Sequence, residues 1–408
     1  MKQLKERVVA IDYFRGICIL VILLSHSASF NLPYGYLSGL GRLWTGAAAF
    51  FFLLSGLTLG VVRGKTVVSD FKAVLHKSWT RARDLYLLYL ITALGTILII
   101  PFITSQAMFG LTGSAPTASG FSLLVQVATF HYAPGLANFL IYYSVYMLLA
   151  PLALYVLYRY RKAWPVLLLP SVALYVLNTS YPFHLLSAGI YGTFATWQLY
   201  FVLGMILARF RVAIISWYYG LRQWIVKATY RLVTLSAGVA LVLSAALGFN
   251  LLPHLTSLTA QGWLPAKLLD VYVRLIDHKP TLDLLLMNGR TGILRPLAAV
   301  LCLAAGYLLY QKHKSAILRY SGKFVTAMGR DALWIFVAQS LLIPLMSLLP
   351  LRHNLITSTA MTAALIGSMW LITQRQRLLA WVRGYAGELQ AAFYQAKSTA
   401  MYRQQDSS

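Results

Sequence analysis

Long apolar stretches alternate with short polar ones along nearly the whole chain. An apolar run of roughly 18 or more residues is long enough to cross a bilayer as a helix. The first 11 residues are polar and basic, and a first span runs from there to about residue 30. Further apolar segments cover about residues 43–62, 85–103, 136–158, 164–177, 188–208, 232–252, 291–310, 332–349 and 356–372. A basic loop, 63–83, precedes the third of these spans, and a Gly/Ser/Thr-rich loop follows it to about residue 135. Residues 209–230 mix Arg209, Arg211, Arg222 and Lys227 with Trp217, Tyr218, Tyr219, Trp224 and Tyr230. That mixture suits a helix lying in the membrane interface. The longest polar stretch is the loop 253–290. The pattern predicts an all-α, polytopic integral membrane protein with about ten transmembrane helices. Residues 1–375 read as a single transmembrane domain and 376–408 as a basic cytoplasmic tail.

Composition agrees with that class. Of the residues, 59% are hydrophobic and only 11% charged, against roughly 25% charged in soluble domains. The 35 Lys and Arg outnumber the 10 Asp and Glu, for a net charge of +25. Nucleic-acid binding would need that charge gathered on a folded polar domain, and no segment here is polar enough. Positive-inside anchoring places it in loops on one side. With ten spans and both termini on one side, that side receives 28 Lys and Arg and the other 7. The asymmetry predicts an N-in, C-in orientation. Cys18 and Cys302 both lie in apolar runs and read as small core residues, not a disulfide. The first apolar run is too long for a signal peptide and lacks a small-residue cleavage site, so it reads as a span.

The first span carries the candidate chemistry. Arg15 and His26 are eleven residues apart, which on a helix is about 20° past three full turns and about 16 Å along the axis. The two side chains therefore share one helix face. Asp12, three residues before Arg15, is placed to pair with it. An ionisable group at membrane depth is costly and by default marks a functional site. Other histidines are scattered across loops, with no metal-ligand spacing, no Gly-x-Ser-x-Gly, no Walker motif and no dinucleotide fingerprint.

Asp12-x-x-Arg15-Gly16 with His26 resembles the Arg-x10-His signature of the membrane acyltransferase-three superfamily. Phe50 to Gly56 resembles its Phe-Phe-x-x-Ser-Gly second span. Trp197-Gln198-Leu199-Tyr200-Phe201-Val202-Leu203-Gly204 resembles a stretch of the OpgC branch, the succinyltransferases of osmoregulated periplasmic glucans. Arg81 to Tyr86, Tyr146 to Pro151, Lys279 with Arg295, and Gly329 to Gln339 align more loosely. The chain departs from the branch at Gly46 and Ala49, where acids are usual, and at Ala298, where a histidine is often found.

The resemblance implies a membrane-bound O-acyltransferase that moves an acyl group, succinyl or acetyl, from cytoplasmic acyl-coenzyme A to a hydroxyl of an extracytoplasmic glycan. It needs no bound cofactor, since acyl-coenzyme A is the donor substrate. His26 would be the general base, taking the proton as the hydroxyl attacks the thioester. Arg15 would hold the donor or the site. Arg81 and Arg83 would hold coenzyme A phosphates through planar, multi-donor contacts. Asp12, Trp197, Gln198 and Arg295 complete the expected substrate-binding set. Ser55 and Gly56 read as a close helix contact. The outer loop 253–290 would face the acceptor. The rival class is a polytopic transporter or glycan exporter without chemistry. Transporters often show paired broken spans and internal symmetry, and neither is found. The acids within or beside the spans, Asp12, Asp84 and Asp331, all fall near predicted cytoplasmic ends.

Reporter fusions after Lys65, Lys162 and Lys314 and at the C-terminus should read cytoplasmic, and fusions near Thr117 and Asp277 should read external. An external signal at Lys314 would break the ten-span arrangement.

Overall fold

Backbone groups in an apolar solvent must bond within their own segment, so helices are the economical element for such runs. The computed structural model of the chain describes residues 2–27, 43, 45–102, 119–134, 136–160, 162–180, 194–249, 251–278, 292, 294–349 and 354–375. Among these residues every regular element is helical and no strand occurs. The helices are α1 (Lys2–Ser27), α2 (Ala47–Arg63), α3 (Phe71–Ile99), α4 (Gly120–Ala128), α5 (Asn138–Arg159), α6 (Trp164–Ser180) and α7 (Phe194–Gly220). They continue with α8 (Gln223–Gly248), α9 (Leu252–Ala260), α10 (Ala266–Asp277), α11 (Arg295–Ile317), α12 (Lys323–Arg330), α13 (Ala332–Ser347) and α14 (Leu355–Thr373). A single helical turn, Thr66–Ser69, precedes α3, and a π-helical turn, Leu318–Gly322, joins α11 to α12.

Among the described residues, six helical segments are long and apolar enough to cross a membrane: Val9–Ser27, Phe71–Phe102, Asn138–Arg159, Phe194–Gly220, Gln223–Leu247 and Leu355–Thr373. Ala47–Arg63, Trp164–Asn178 and Ala332–Met346 are apolar but shorter. The expected eighth span is the helix α11, whose second half carries Lys312, His313 and Lys314 and kinks at His313. Apolar stripes on the outside fit a lipid surround. Leu87, Ile91, Leu94 and Leu98 line one exposed face of α3, and Leu232, Leu235, Val239 and Val242 one face of α8. Large apolar stripes of this kind are rare on soluble proteins.

Three boundaries differ from the sequence expectation. The basic stretch expected as the loop 63–83 is helical from Phe71 onward. The Asp70 carboxylate accepts from the Ala73 backbone N–H at 3.0 Å, capping the first turn, and no Gly or Pro interrupts the run until Gly95. Residues 209–230 form no separate interfacial helix; they are the end of α7 and the start of α8, broken only at 221–222. The stretch 253–290 contains α9 and α10. Its residues 279–290 and the expected tail 376–408 lie outside the described residues.

Small residues set the closest contacts. A Cβ built on Gly56 would run into the Phe201 carbonyl, and one on Gly204 into the Leu53 carbonyl, so α2 and α7 touch backbone to backbone. Gly60 meets Ala208 one turn on. The same device joins α1 to α12, where Gly16 faces the Val325 carbonyl and Gly329 the Asp12 carbonyl. Lipid gives apolar helices little reason to associate, so close backbone approach and interhelical hydrogen bonds carry the packing. Among those bonds, Tyr158 donates to the Gly60 carbonyl (2.9 Å), Tyr146 to the Phe194 carbonyl (2.7 Å) and Ser144 to the Ala82 carbonyl (2.8 Å). Other hydroxyls inside the spans bond back along their own helix, as Thr92 does to Leu88 and Ser340 to Phe336.

Gly56→Leu should therefore lower the thermal midpoint of the purified protein in detergent, since overpacking of this kind costs about 1–3 kcal/mol or more. Gly238→Ala, at a position with open space around it, should leave the midpoint unchanged or raise it slightly. Equal behaviour of the two variants would remove the α2–α7 contact as a determinant of stability.

Candidate active site

Helix α1 is unbroken from Lys2 to Ser27, so the spacing of Arg15 and His26 is a true helical spacing. Residues 15, 19, 22 and 26 fall on one stripe. Ile19 and Ile22 on that stripe are buried, while Ile17 on the opposite face is exposed. The stripe thus faces the bundle interior, with Arg15 and His26 half-buried at two levels.

The start of the stripe is clamped from behind. Tyr13 and Phe14 pack against the Tyr310 ring at 5.4 and 5.7 Å between centroids, and the Tyr13 and Ser321 hydroxyls hydrogen-bond at 3.1 Å. Gly16 fits under α12. That leaves Arg15 directed at α2, where its guanidinium carbon lies 5.2 Å over the Phe51 ring. Its Nε is buried and has no hydrogen-bond partner among the described residues. Asp12 closes no ion pair with it there; its carboxylate sits in the fields of both Arg15 and Arg330.

The neighbouring Phe51 and Phe52 both meet the Phe139 and Tyr143 rings of α5, and each leads on to a further group. Phe51 meets the Tyr143 ring at 6.4 Å, and Tyr143 is in turn an electrostatic neighbour of Arg63, together with Arg81. Arg63, the last residue of α2, donates to the Ser78 hydroxyl at 3.0 Å. The sequence counted Arg63 only as orientation charge. Arg83 is not part of this group. Its stem leaves α3 on a different side from that of Arg81, its side chain is 68% exposed, and it pairs with adjacent Asp84 at 3.1 Å.

Phe52 also reaches α7. It stacks on Trp197 with centroids 5.5 Å apart, and Trp197 meets Tyr200 at 6.0 Å. The buried Arg295, at the start of α11, adjoins Tyr200 and Tyr175. A Cβ on Gly46 would lie 3.4 Å from its Nη2. Gln198 is mainly a strut: its amide donates to the Ser171 carbonyl at 2.7 Å. It also borders an apolar cleft of about 190 Å³ between α5, α6 and α7. Ser55 is buried on α2, beside Gly56 and its contact with α7.

A second residue stands out on the structure. Gln339 on α13 is fully buried, and neither of its amide atoms has a partner among the described residues. It lies one turn beyond Phe336, which packs on Phe139 at 4.7 Å. A polar side chain in an otherwise apolar run was the available signal, and the loose alignment of 329–339 reaches it.

The match to protein families covers this whole arrangement. The family model described as OpgC protein matches residues 7–382. The chain belongs to the OpgC protein family. That membership points to transferase chemistry of the glucan-modifying, acyl-transferring kind. No curated protein and no solved structure matches the chain significantly.

Proposed function

We propose that this OpgC-family chain is a multi-pass inner-membrane O-acyltransferase. It takes a succinyl or acetyl group from cytoplasmic acyl-coenzyme A and places it on a hydroxyl of an extracytoplasmic glycan. The single observation that carries the reading is the buried stripe of α1, with a guanidinium and an imidazole on the same interior face. A membrane helix that only anchors has no use for either group at that face.

In this reading the donor's phosphates lie at the arginine end and its thioester reaches toward His26. Arg15 holds the donor from its place over the Phe51 ring. Arg81 meets the phosphates together with Arg63; Arg83, turned outward and paired with Asp84, has a lesser part. His26 takes the acceptor hydroxyl proton as its oxygen bonds to the thioester carbonyl carbon. The tetrahedral centre then collapses, the C–S bond breaks, and coenzyme A leaves as a thiolate that takes up a proton. Asp12 tunes Arg15 and the α1–α12 contact. Trp197 and Arg295 line the second group, on the acyl or acceptor side, and Gln198 holds α7 against α6 so that Trp197 keeps its place.

The test is turnover of labelled acyl-coenzyme A by the purified protein in detergent. A positioned base contributes about 10²–10⁴-fold, so His26→Ala should lose about that much turnover while expression and donor binding survive. His26→Gln, which retains size and some hydrogen bonding but takes no proton, should be nearly as inactive. Full transfer by His26→Gln would end its role as base, and no turnover in the wild type would favour a transporter.

A second measurement separates the two arginines of α3. Hydrogen bonds to charged groups contribute about 1.5–3 kcal/mol, so Arg81→Gln should raise the apparent donor KM about 10–100-fold. Arg83→Gln should change it little. Equal effects of the two substitutions, or a comparable rise in acceptor KM, would contradict the assignment.

A further inference from the structure

Helix α7 carries two arginines just beyond its contact with α2. The Arg209 guanidinium carbon lies 5.2 Å over the Tyr158 ring. Arg211 donates to the Ala208 carbonyl at 3.0 Å and is also drawn to the Tyr158 hydroxyl. That hydroxyl is fixed by its own bond to the Gly60 carbonyl, at 2.9 Å, and the ring closes over Gly64. The two stems leave α7 on different sides, so both side chains must fold back to meet one phenol. Ordering two long side chains beside each other costs conformational entropy and brings like charges together.

In the described part of the chain no counter-charge offsets this. No carboxylate forms an ion pair with either arginine among the described residues. The Nε atoms of both are buried there without a hydrogen-bond partner. Two guanidiniums held by aromatic and backbone contacts, with donors left over and no counter-charge among the described residues, form a receptor for an oxyanion that accepts paired N–H donors. The surroundings favour the membrane surface: Trp217 and Tyr219 further along α7 and Trp224 at the start of α8 are 66%, 63% and 66% exposed, as aromatic residues at a bilayer interface are.

We propose that Arg209 and Arg211, gathered on Tyr158, form a binding site for an anionic phosphate ester. Two sources supply that chemistry: the headgroup of an anionic phospholipid, or a phosphate of the nucleotide donor. The second source rests on the acyl-coenzyme A reading above; the first does not.

The experiment uses the full chain purified in detergent and reads the thermal midpoint without measuring turnover. Three probes are added separately: dioleoylphosphatidylglycerol, dioleoylphosphatidylcholine as the zwitterionic control, and adenosine 3′,5′-bisphosphate. A ligand that binds only the folded state raises the midpoint by mass action. The expected result is a rise of several degrees with phosphatidylglycerol or with the bisphosphate, and none with phosphatidylcholine. The double variant Arg209→Gln/Arg211→Gln should lose at least half of that rise. A rise with phosphatidylglycerol alone assigns the site to lipid, and a rise with the bisphosphate alone assigns it to the donor. Arg209→Lys/Arg211→Lys keeps the charge but lacks the planar fork, and should retain only part of the rise. It decides the matter if the glutamine pair does not fold. Absence of any rise, the same rise with phosphatidylcholine, or a full rise in the folded variants would overturn the proposal. None of these outcomes depends on His26 or on acyl transfer.

Discussion

Close backbone approach at glycine is the constraint on which the arrangement rests. Helices in lipid gain little from hiding apolar surface against each other, because the solvent is equally apolar. What selects one packing is how near two backbones can come and which polar groups meet when they do. Gly56 and Gly204 set the α2–α7 crossing, and Gly16 and Gly329 the α1–α12 crossing. Each crossing fixes rotation about the helix axis as well as distance. The rotation of α1 turns residues 15, 19, 22 and 26 inward. The rotation of α2 turns Phe51 toward Arg15 and Phe52 toward Trp197. A shift of either helix by one residue would turn these side chains by about 100° and dissolve both groups.

Aromatic rings do the positioning that ion pairs do in soluble sites. Arg15 sits over Phe51 and Arg209 over Tyr158, with no carboxylate bonded to either among the described residues. A ring face orients a guanidinium without consuming its donors, whereas a carboxylate would neutralise it and occupy them. Cations held in this way stay available to an anion that arrives from outside the chain.

The elements were legible where apolar periodicity dominated. The stripe of α1 could be read directly, because residue spacing alone places Arg15 and His26 on one face. Boundaries are hardest to read where charge resembles the sign of a loop. Residues 72–83 are basic yet helical, and the better signals were Asp70 as a cap and the lack of Gly or Pro. The 209–230 region misled for the opposite reason. Its mixed composition suggested one interfacial element, while the break at 221–222 beside Gly220 marked two helix ends. The ring that holds Arg15 was beyond reach of sequence reasoning. Phe51 comes from a second helix, and which way it faces is decided by the helix crossing rather than by local pattern.

The helical state of residues 71–83 makes this part of the chain intolerant of changes in length. A loop absorbs an inserted residue with a small local adjustment. In α3 a single insertion between Arg81 and the membrane-embedded turns would rotate everything before it by about 100° and lift it by about 1.5 Å. Arg81 would then leave the side of Arg63 and Tyr143 while its chemistry stayed the same. The spacing from Asp70 to Leu85 therefore carries information that residue identities do not. Among proteins of this kind it should be held constant in number even where the side chains themselves vary.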